Sequence, residues 1–242
     1  MRYLVISDIH SNLQAFEAVL ADAPAYDRVW CLGDVVGYGP DPNECVARLQ
    51  GLPHASLAGN HDWAVLGKLG LDSFNLDARS ANAWTRAELT PASRDYLSEL
   101  PVEAELDGFT AVHASPREPV WEYVVDTGVA LANFDHFATP VCLLGHSHIP
   151  LAFILDKQCG RCRLTLPQPF SHLSLDSDSA MINPGSVGQP RDGDPRASYA
   201  LLDTETMTWE FRRVQYDVQE VQERMRASDL PRRLIARLAF GR

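Results

Sequence analysis

The sequence lacks a long apolar run. Its first apolar segment, Tyr3 to Ile6, ends before Asp8, whereas the core of a secretory signal needs about 7–15 apolar residues. No later segment approaches the roughly 18 apolar residues of a membrane-spanning helix. We therefore expect neither export nor membrane insertion, and we predict that the protein is cytoplasmic.

Cysteines that would form a disulfide framework are also missing. The count is five, an odd number, and Cys31, Cys45 and Cys142 lie in apolar or helical segments typical of reduced core thiols. Cys159 and Cys162 form a Cys-Gly-Arg-Cys turn, but a zinc ribbon would need a second such pair. A hairpin turn with reduced thiols is therefore favoured over a redox or metal role.

Positive charge is scarce. Asp and Glu number 32 against 21 Lys and Arg, which gives a formal net charge of −11. Such a surface does not attract long nucleic acids or anionic membranes. A substrate that carries phosphate would need a local source of positive charge, which metal ions would supply. The expected partner is therefore a small molecule, and the sequence leaves the oligomeric state open.

The first part of the chain alternates between strand and helix patterns. Apolar segments at 3–6, 28–32 and 54–58 are separated by helical periodicity that begins near Asn12 and Glu44. This order predicts α/β layering, in which ligands collect at the carboxyl ends of the strands. With 242 residues, no repeat and no convincing linker, the chain is predicted to form a single domain over residues 1–242.

The rest of the chain divides into a helical insert, a strand-rich part and a helical end. Residues 64–100 have the pattern of helices interrupted at Pro91, and we expect this insert to cap the site. Apolar segments at 109–112 and 141–144 predict two further strands, and after Pro150 short strands joined by turns predict an antiparallel second sheet. Residues 218–226 and 230–238 are predicted to form surface helices.

Five short motifs place metal-binding residue types directly after predicted strands. Carboxylate oxygen and imidazole nitrogen bind Zn, Fe, Mn or Ni, and the amide oxygen of asparagine adds a neutral ligand. Glycines beside several of these residues let the backbone turn sharply and approach a ligand closely. The motifs are Asp8-Ile9-His10, Gly33-Asp34, Gly59-Asn60-His61-Asp62, His113 and Gly145-His146-Ser147-His148.

Each motif alone also has an ordinary structural explanation. Asp-x-His and Gly-Asp are common in turns, and the Gly-Asn-His-Asp and Gly-His-Ser-His segments suit exposed loops. Five of the eight histidines nevertheless fall in these motifs. Their joint occurrence, in order and each at a strand end, favours a metal site over a set of unrelated turns.

The ordered motifs resemble those of the calcineurin-like metallophosphoesterase family, in particular its small bacterial and archaeal phosphodiesterase branch. The similarity runs from Asp8 to His148, with a further matching loop at Asn183-Pro184-Gly185-Ser186. It implies an α/β fold in which two mixed β-sheets pack together between flanking helices, the metallophosphoesterase sandwich. It also implies a hydrolase that acts on phosphoric ester bonds, with a phosphodiester as the expected substrate.

The resemblance also implies a metal centre with two divalent ions, drawn from Mn, Fe, Zn or Ni, with Mn expected to support activity in vitro. Asp34 would bridge the two ions, and a hydroxide held between them would attack the phosphorus. One ion would be bound by Asp8, His10 and His148, and the other by Asn60, His113 and His146.

His61 is predicted to act on the substrate rather than on an ion. Adjacent side chains diverge, so His61 cannot easily share the ion of Asn60 and is free to reach the phosphate or protonate the leaving oxygen. Asp62 could orient it, which makes both residues catalytic candidates. Asn60, His61 and Arg191 are the candidate substrate-binding residues. For Arg191, a phosphate clamp and a solvated ion pair with Asp192 are equally compatible with the sequence.

The leading hypothesis is hydrolysis of a small phosphate ester whose leaving group the sequence does not identify. One alternative on the same fold is a catalytically weak protein-interaction module that has lost its metal ligands. All seven predicted ligands are present, which speaks against this alternative. A nuclease or polynucleotide binder is disfavoured by the net charge of −11 and by the absence of a basic stripe.

Overall fold

The computed structural model describes residues 1–176 and 179–242, and the strands within these residues form two mixed sheets of six strands each. In chain order, the strands are β1 (Arg2–Ile6), β2 (Arg28–Cys31), β3 (His54–Ser56), β4 (Glu103–Leu106), β5 (Phe109–Val112), β6 (Val141–Leu143), β7 (Pro150–Asp156), β8 (Arg161–Thr165), β9 (His172–Ser174), β10 (Ser179–Pro184), β11 (Ala197–Asp203) and β12 (Thr208–Val214).

The helices connect the strands or cover the sheets. Asn12 caps the first of them, because its side chain accepts a hydrogen bond from the amide of Ala15 at 3.1 Å. In chain order, the α-helices are α1 (Leu13–Asp22), α2 (Pro42–Gln50), α3 (Asn60–Leu66), α4 (Leu76–Glu88), α5 (Pro91–Glu99), α6 (Thr127–Asn133), α7 (Val218–Ala227) and α8 (Arg232–Arg237). The elements β4, β9 and α6 were not anticipated from the sequence.

The order of strands is β3-β2-β1-β11-β12-β9 in the first sheet and β4-β5-β6-β10-β7-β8 in the second. The predicted fold of two packed mixed sheets flanked by helices is confirmed. The expectation that the strands after Pro150 form an antiparallel second sheet is wrong, because these strands are divided equally between the two sheets. A local sequence pattern indicates a strand but not its partner, and here β1 pairs with the distant β11.

The two sheets pack face to face through a shared apolar core. Tyr3 and Val5 of β1 lie in this core, and Trp30 of β2 stacks on Tyr3 with ring centroids 3.9 Å apart. Leu4 and Ile6 point to the opposite side of the sheet, into the apolar cluster that includes α1 and α2. Because β1 is buried on both faces, its carboxyl end is a fixed position for the residues that follow it.

The helical insert predicted at 64–100 is present, with α4 and α5 as its main helices. Pro91, where an interruption of the helical pattern was predicted, is the first residue of α5. The preceding Thr90 caps this helix, because its hydroxyl accepts a hydrogen bond from the amide of Ser93 at 3.2 Å. The buried face of α4 carries Asn82 among small side chains. Since α3 begins at Asn60, the insert is continuous with the third metal-binding motif.

The last two helices pack beside the insert. Val221 and Met225 of α7 and Leu234 of α8 share an apolar cluster with Tyr38 and Ala81. This cluster joins the carboxyl-terminal part of the chain to α4 and to the loop that follows β2. Among the described residues, no helix combines the length and the apolar character needed to cross a membrane.

Candidate metal centre

The predicted ligands follow strands β1, β2, β3, β5 and β6. Strands β1, β2 and β3 are parallel neighbours in one sheet, and β5 and β6 are parallel neighbours in the other. Parallel strands end at the same edge of a sheet, and the amide of His146 joins the two edges by donating to Oδ2 of Asp8 at 3.1 Å. The fold therefore gathers all seven predicted ligands into one buried region: Asp8, His10, Asp34, Asn60, His113, His146 and His148.

The backbone at five of these residues is left-handed. A non-glycine residue in this region costs about 1–3 kcal/mol and persists only where its surroundings hold it. Here the amides of Asp8 and His10 donate to the carbonyls of Gly33 and Asp34, each at 3.0 Å. The φ angles are 55° at Asp8, 49° at His10, 53° at Asp34, 63° at His146 and 60° at His148. Such a concentration of strain is typical of a functional site.

Two motif glycines make the close packing possible. A Cβ atom at Gly59 would lie 2.1 Å from Oδ1 of Asp34, and one at Gly145 would lie 2.0 Å from Oγ of Ser7. Both distances are far below van der Waals contact, so a larger residue would displace its neighbours. Glycine at these positions lets the backbone of one loop touch the polar side chains of the next.

The first ligand cluster consists of Asp8, His10 and His148. The Nδ1 atoms of His10 and His148 lie 3.2 and 2.5 Å from the carbonyl oxygens of Val36 and Gln189. A carbonyl only accepts, so both Nδ1 atoms carry hydrogen and both Nε2 atoms have free lone pairs. These Nε2 atoms are 3.1 Å apart, and that of His148 lies 3.2 Å from Oδ1 of Asp8, which has no hydrogen-bond partner among the residues that the structure describes. Lone pairs and a carboxylate that converge in this way are suited to hold a cation.

The second ligand cluster consists of Asp34, Asn60, His113 and His146. Nδ1 of His113 lies 2.8 Å from the carbonyl oxygen of Leu32, so Nε2 is the ring nitrogen that faces the cluster. That Nε2 atom is 3.3 Å from Oδ2 of Asp34 and 3.2 Å from Oδ1 of Asn60. Among the described residues, Oδ2 of Asp34 has no hydrogen-bond partner. Ligand atoms thus converge around a second point.

In His146 the two ring nitrogens have exchanged roles relative to the other three histidines. Its Nε2 atom lies 3.2 Å from the carbonyl oxygen of Trp121, so Nε2 carries the hydrogen and Nδ1 keeps the lone pair. Acidic or histidine ligand atoms in each cluster lie within 4.8 Å of one another, in the groups Asp8, His10 and His148, and Asp34, His113 and His146. Each group has the size and the donor set of a divalent metal site.

Asp34 lies between the two clusters. Its Oδ2 atom is 3.7 Å from Nε2 of His10 and 3.3 Å from Nε2 of His113, so one oxygen faces both groups. The other oxygen, Oδ1, accepts a hydrogen bond from the amide of His61 at 2.8 Å. This placement fits the bridging role predicted for Asp34.

Both buried carboxyl groups are ionised. Burial opposes the charge of Asp8, but His148 and His10 hold its pKa well below the usual range. Burial also opposes the charge of Asp34, but His113 and His61 lower its pKa as well. Two negative charges are therefore present in a region that is closed to water, and they need positive charge nearby.

The imidazoles differ in their tendency to be protonated. Burial lowers the pKa of His146 and of His148 to about 3, so both rings are neutral and ready to bind a metal. Burial also disfavours the charged form of His113, but the neighbouring Asp34 carboxylate raises its pKa to about 9. A metal at this position would displace that proton and take over its interaction with Asp34. The residues thus fit two divalent cations.

The family of this chain follows from its similarity to known proteins. The model of the calcineurin-like phosphoesterase superfamily domain matches residues 1–207. The chain belongs to this superfamily. It is accordingly a hydrolase that acts on phosphoester bonds, and divalent metals are the cofactors of the family.

Relatives of this phosphoesterase occur in bacteria and archaea. A metallophosphoesterase from Sphaerobacter thermophilus superposes with a TM-score of 0.92 at 46% identity, over 100% of this chain and 99% of that one. An uncharacterized protein of Methanocaldococcus jannaschii is 40% identical over 247 residues, which is 98% of this chain and 97% of the relative. A hypothetical protein from Pyrococcus horikoshii, with a TM-score of 0.80 and 20% identity over 100% and 98% of the two chains, shares the fold.

The phosphoesterase holds His61 at the metal site, but with a different partner than expected. Nδ1 of His61 lies 2.8 Å from Oδ1 of Asn82 in α4. Asp62, which the sequence suggested as the orienting group, instead accepts backbone amides of Val35, Val36 and Gly59 at 3.3, 3.1 and 2.9 Å. The role of Asn82 was not predicted from the sequence. The signal that could have identified it is a single asparagine among small residues on the face of a helix that packs inward.

Arg191 of the phosphoesterase lies beside the site and is not paired with Asp192. Its Nη2 atom donates to Oε1 of Gln189 at 3.0 Å and to the hydroxyl of Tyr38 at 3.4 Å. Asp192 forms its ion pair with Arg213 instead. The Nε atom of Arg191 has no hydrogen-bond partner in the described ranges 1–176 and 179–242, which leaves a donor for an anion.

Proposed function

We propose that this phosphoesterase is a phosphodiesterase with a dinuclear metal centre and a small substrate. The supporting observation is the pair of clusters in which imidazole nitrogens converge on Oδ1 of Asp8 and Oδ2 of Asp34, two oxygens that have no hydrogen-bond partner within the described part of the chain. This arrangement is costly without cations and favourable with them. Asp8, His10 and His148 would hold one ion, Asn60, His113 and His146 the other, and Asp34 would contact both.

The ions supply charge that polarises the phosphoryl oxygens and acidifies water at neutral pH. The protein supplies the orientation of each ligand: backbone carbonyls fix the tautomers of His10, His113, His146 and His148. Manganese is the metal that we propose for activity in vitro. The predicted ligands are oxygen and nitrogen atoms, which suit manganese, and none of them is a thiolate.

His61 is the residue that we propose for proton transfer to the leaving oxygen. Its hydrogen bond to Asn82 engages Nδ1, which leaves Nε2 as the nitrogen that we propose for proton transfer. Burial lowers the pKa of His61 to about 3 in the protein without substrate, despite the opposing influence of Asp34. An anionic phosphate beside the ring favours the imidazolium form, so substrate binding itself would charge the acid.

Asn60, His61 and Arg191 are the substrate-binding residues that we propose. Nε of Arg191 has no hydrogen-bond partner among the described residues, so the guanidinium has a donor for a phosphate oxygen.

We further propose that residues 1–242 act as one domain and that the protein works in the cytoplasm. The first proposal is supported by α7 and α8, which pack against Tyr38 near the metal centre. The second is supported by the five cysteines, which form no disulfide within the described residues; Cys159 lies in the turn between β7 and β8, and Cys162 lies in β8. A small phosphate ester is the proposed partner, because the net charge of −11 disfavours long nucleic acids.

The proposal is tested with bis(4-nitrophenyl) phosphate and 4-nitrophenyl phosphate, each assayed with Mn, Fe, Zn and Ni. We expect the diester to be the better substrate with Mn. The Asp8→Asn variant should lose nearly all activity, while the matched control Asp72→Asn, at a side chain that is 88% exposed, should retain it. Hydrolysis that survives exhaustive chelation would exclude the metal mechanism, and a preference for the monoester would exclude the diester.

A further inference from the structure

Three aromatic side chains extend outward from the metal centre, and we refer to Phe74, Trp121 and Tyr123 as the aromatic rim. The ring of Phe74 meets that of His61 edge to face, with centroids 5.1 Å apart. Trp121 meets Phe74 in the same way at 5.2 Å. Tyr123 stacks on the ring of His146, at 3.9 Å and an interplanar angle of 21°. The rim therefore touches both the proposed acid and a proposed metal ligand.

The rim is held in place by Glu122, which lies between Trp121 and Tyr123. Its carboxylate accepts hydrogen bonds from the hydroxyl of Ser115 at 2.7 Å and from the side-chain amide of Asn133 at 2.8 Å, and it also pairs with Arg117. The carbonyl oxygen of Trp121 is fixed separately by its contact with the ring of His146. Residues held in this way are preorganised for binding, because little freedom is lost when a ligand arrives.

The rim nevertheless remains open to solvent. Trp121 is 42% exposed and Tyr123 is 48% exposed, although large aromatic residues are usually more buried than this. Tyr123 stacks on His146 and still exposes about half of its surface to solvent. Exposed, rigid aromatic faces beside a polar catalytic centre are suited to stacking against a flat ligand.

We propose that the aromatic rim binds a nucleobase, so that the substrate is a small phosphodiester with a nucleoside as leaving group. This inference rests on the proposed phosphodiesterase function and adds the identity of the leaving group. The rim begins at His61, the residue proposed to protonate the leaving oxygen, so a group bound there lies on the leaving side of the phosphorus. The net charge of −11 restricts the ligand to short nucleotides.

Binding of two phosphomonoesters that differ only in the base tests the inference. Titration calorimetry with the manganese-loaded protein would compare adenosine 5′-monophosphate with ribose 5-phosphate. Stacking on an aromatic side chain changes the affinity by about 5- to 150-fold, and we expect the nucleotide to bind more tightly by a factor in this range. Trp121→Ala should remove most of the difference, and Trp121→Phe should restore part of it. Phe170→Ala, at a 56% exposed aromatic residue elsewhere, should leave it unchanged.

The outcomes separate this inference from the function on which it rests. Equal affinity for the two ligands, or a base preference that persists in Trp121→Ala, would overturn the nucleobase site even if nitrophenyl diesters are hydrolysed. A base preference that depends on Trp121 in a protein that hydrolyses no phosphodiester would support the site and refute the phosphodiesterase. Turnover of a dinucleotide monophosphate with a lower KM than that of a methyl diester would connect the two proposals.

Discussion

The contact between His61 and Asn82 offers a direct test of how the insert serves catalysis. Asn82→Ala removes the oxygen that accepts the Nδ1 hydrogen of His61 at 2.8 Å, in a region where both side chains are buried. A buried donor left without its partner costs about 1–3 kcal/mol. If the lost hydrogen bond destabilises the reactive orientation of the His61 ring by this amount, kcat decreases by roughly 5- to 150-fold. Metal content should stay unchanged, because Asn82 contacts the ring of His61 and not a proposed ligand.

The assay combines this variant with His61→Gln in a double-mutant cycle. Asn82→Ala should have little further effect on kcat once His61 is replaced, because its effect acts through that ring. Asn75→Ala is the matched control: it removes the cap of α4, whose side chain accepts the amide of Ala78 at 3.0 Å, and leaves the contact with His61 intact. It should lower stability by about 1 kcal/mol and preserve kcat. If Asn82→Ala lowers kcat by the same factor in the wild type and in His61→Gln, the proposed coupling between Asn82 and His61 is refuted.

Three further expectations concern the metals and the acid. Asp34→Asn should lose at least one metal equivalent by elemental analysis and nearly all turnover; two ions and a normal rate would contradict the bridging role. Exhaustive chelation should lower the thermal midpoint of the wild type, because the metals bind only the folded state; an unchanged midpoint would argue against bound metals. His61→Gln should lower kcat by about 10²–10⁴-fold for an alkyl diester and by less for a nitrophenyl diester; equal losses would indicate phosphate binding instead.

The ligand positions could be predicted from the sequence because each is encoded locally. Asp8 and Asp34 follow short apolar segments directly, and the end of a strand is visible without knowledge of its neighbours. Gly59 and Gly145 mark close approaches that a side chain would prevent. The strained backbone at these loops and the metal-binding residue types therefore occur together within a few positions.

The supporting contacts could not be predicted because they join distant segments. Asn82 reaches His61 from a separate helix, and its partner is set by the packing of α4 on α3. Trp121 and Tyr123 lie in an irregular segment after β5, where no periodicity assigns a direction to a side chain. The assignment of strands to sheets failed for the same reason: β10 and β11 are both buried along almost their whole length, and nothing in either segment indicates which sheet it joins.

The pairing of β1 with β11 has a consequence for biosynthesis. The last of the seven predicted ligands, His148, leaves the ribosome well before β11, and the carbonyl of Gln189 that orients its ring also comes later. A nascent chain that ends shortly after His148 thus contains every ligand without the second neighbour of β1. Long-range pairing of this kind forms late in folding. We therefore expect the candidate metal centre to reach its final geometry only after β11 has been synthesised, so that metal would bind after the segments carrying the predicted ligands have been made.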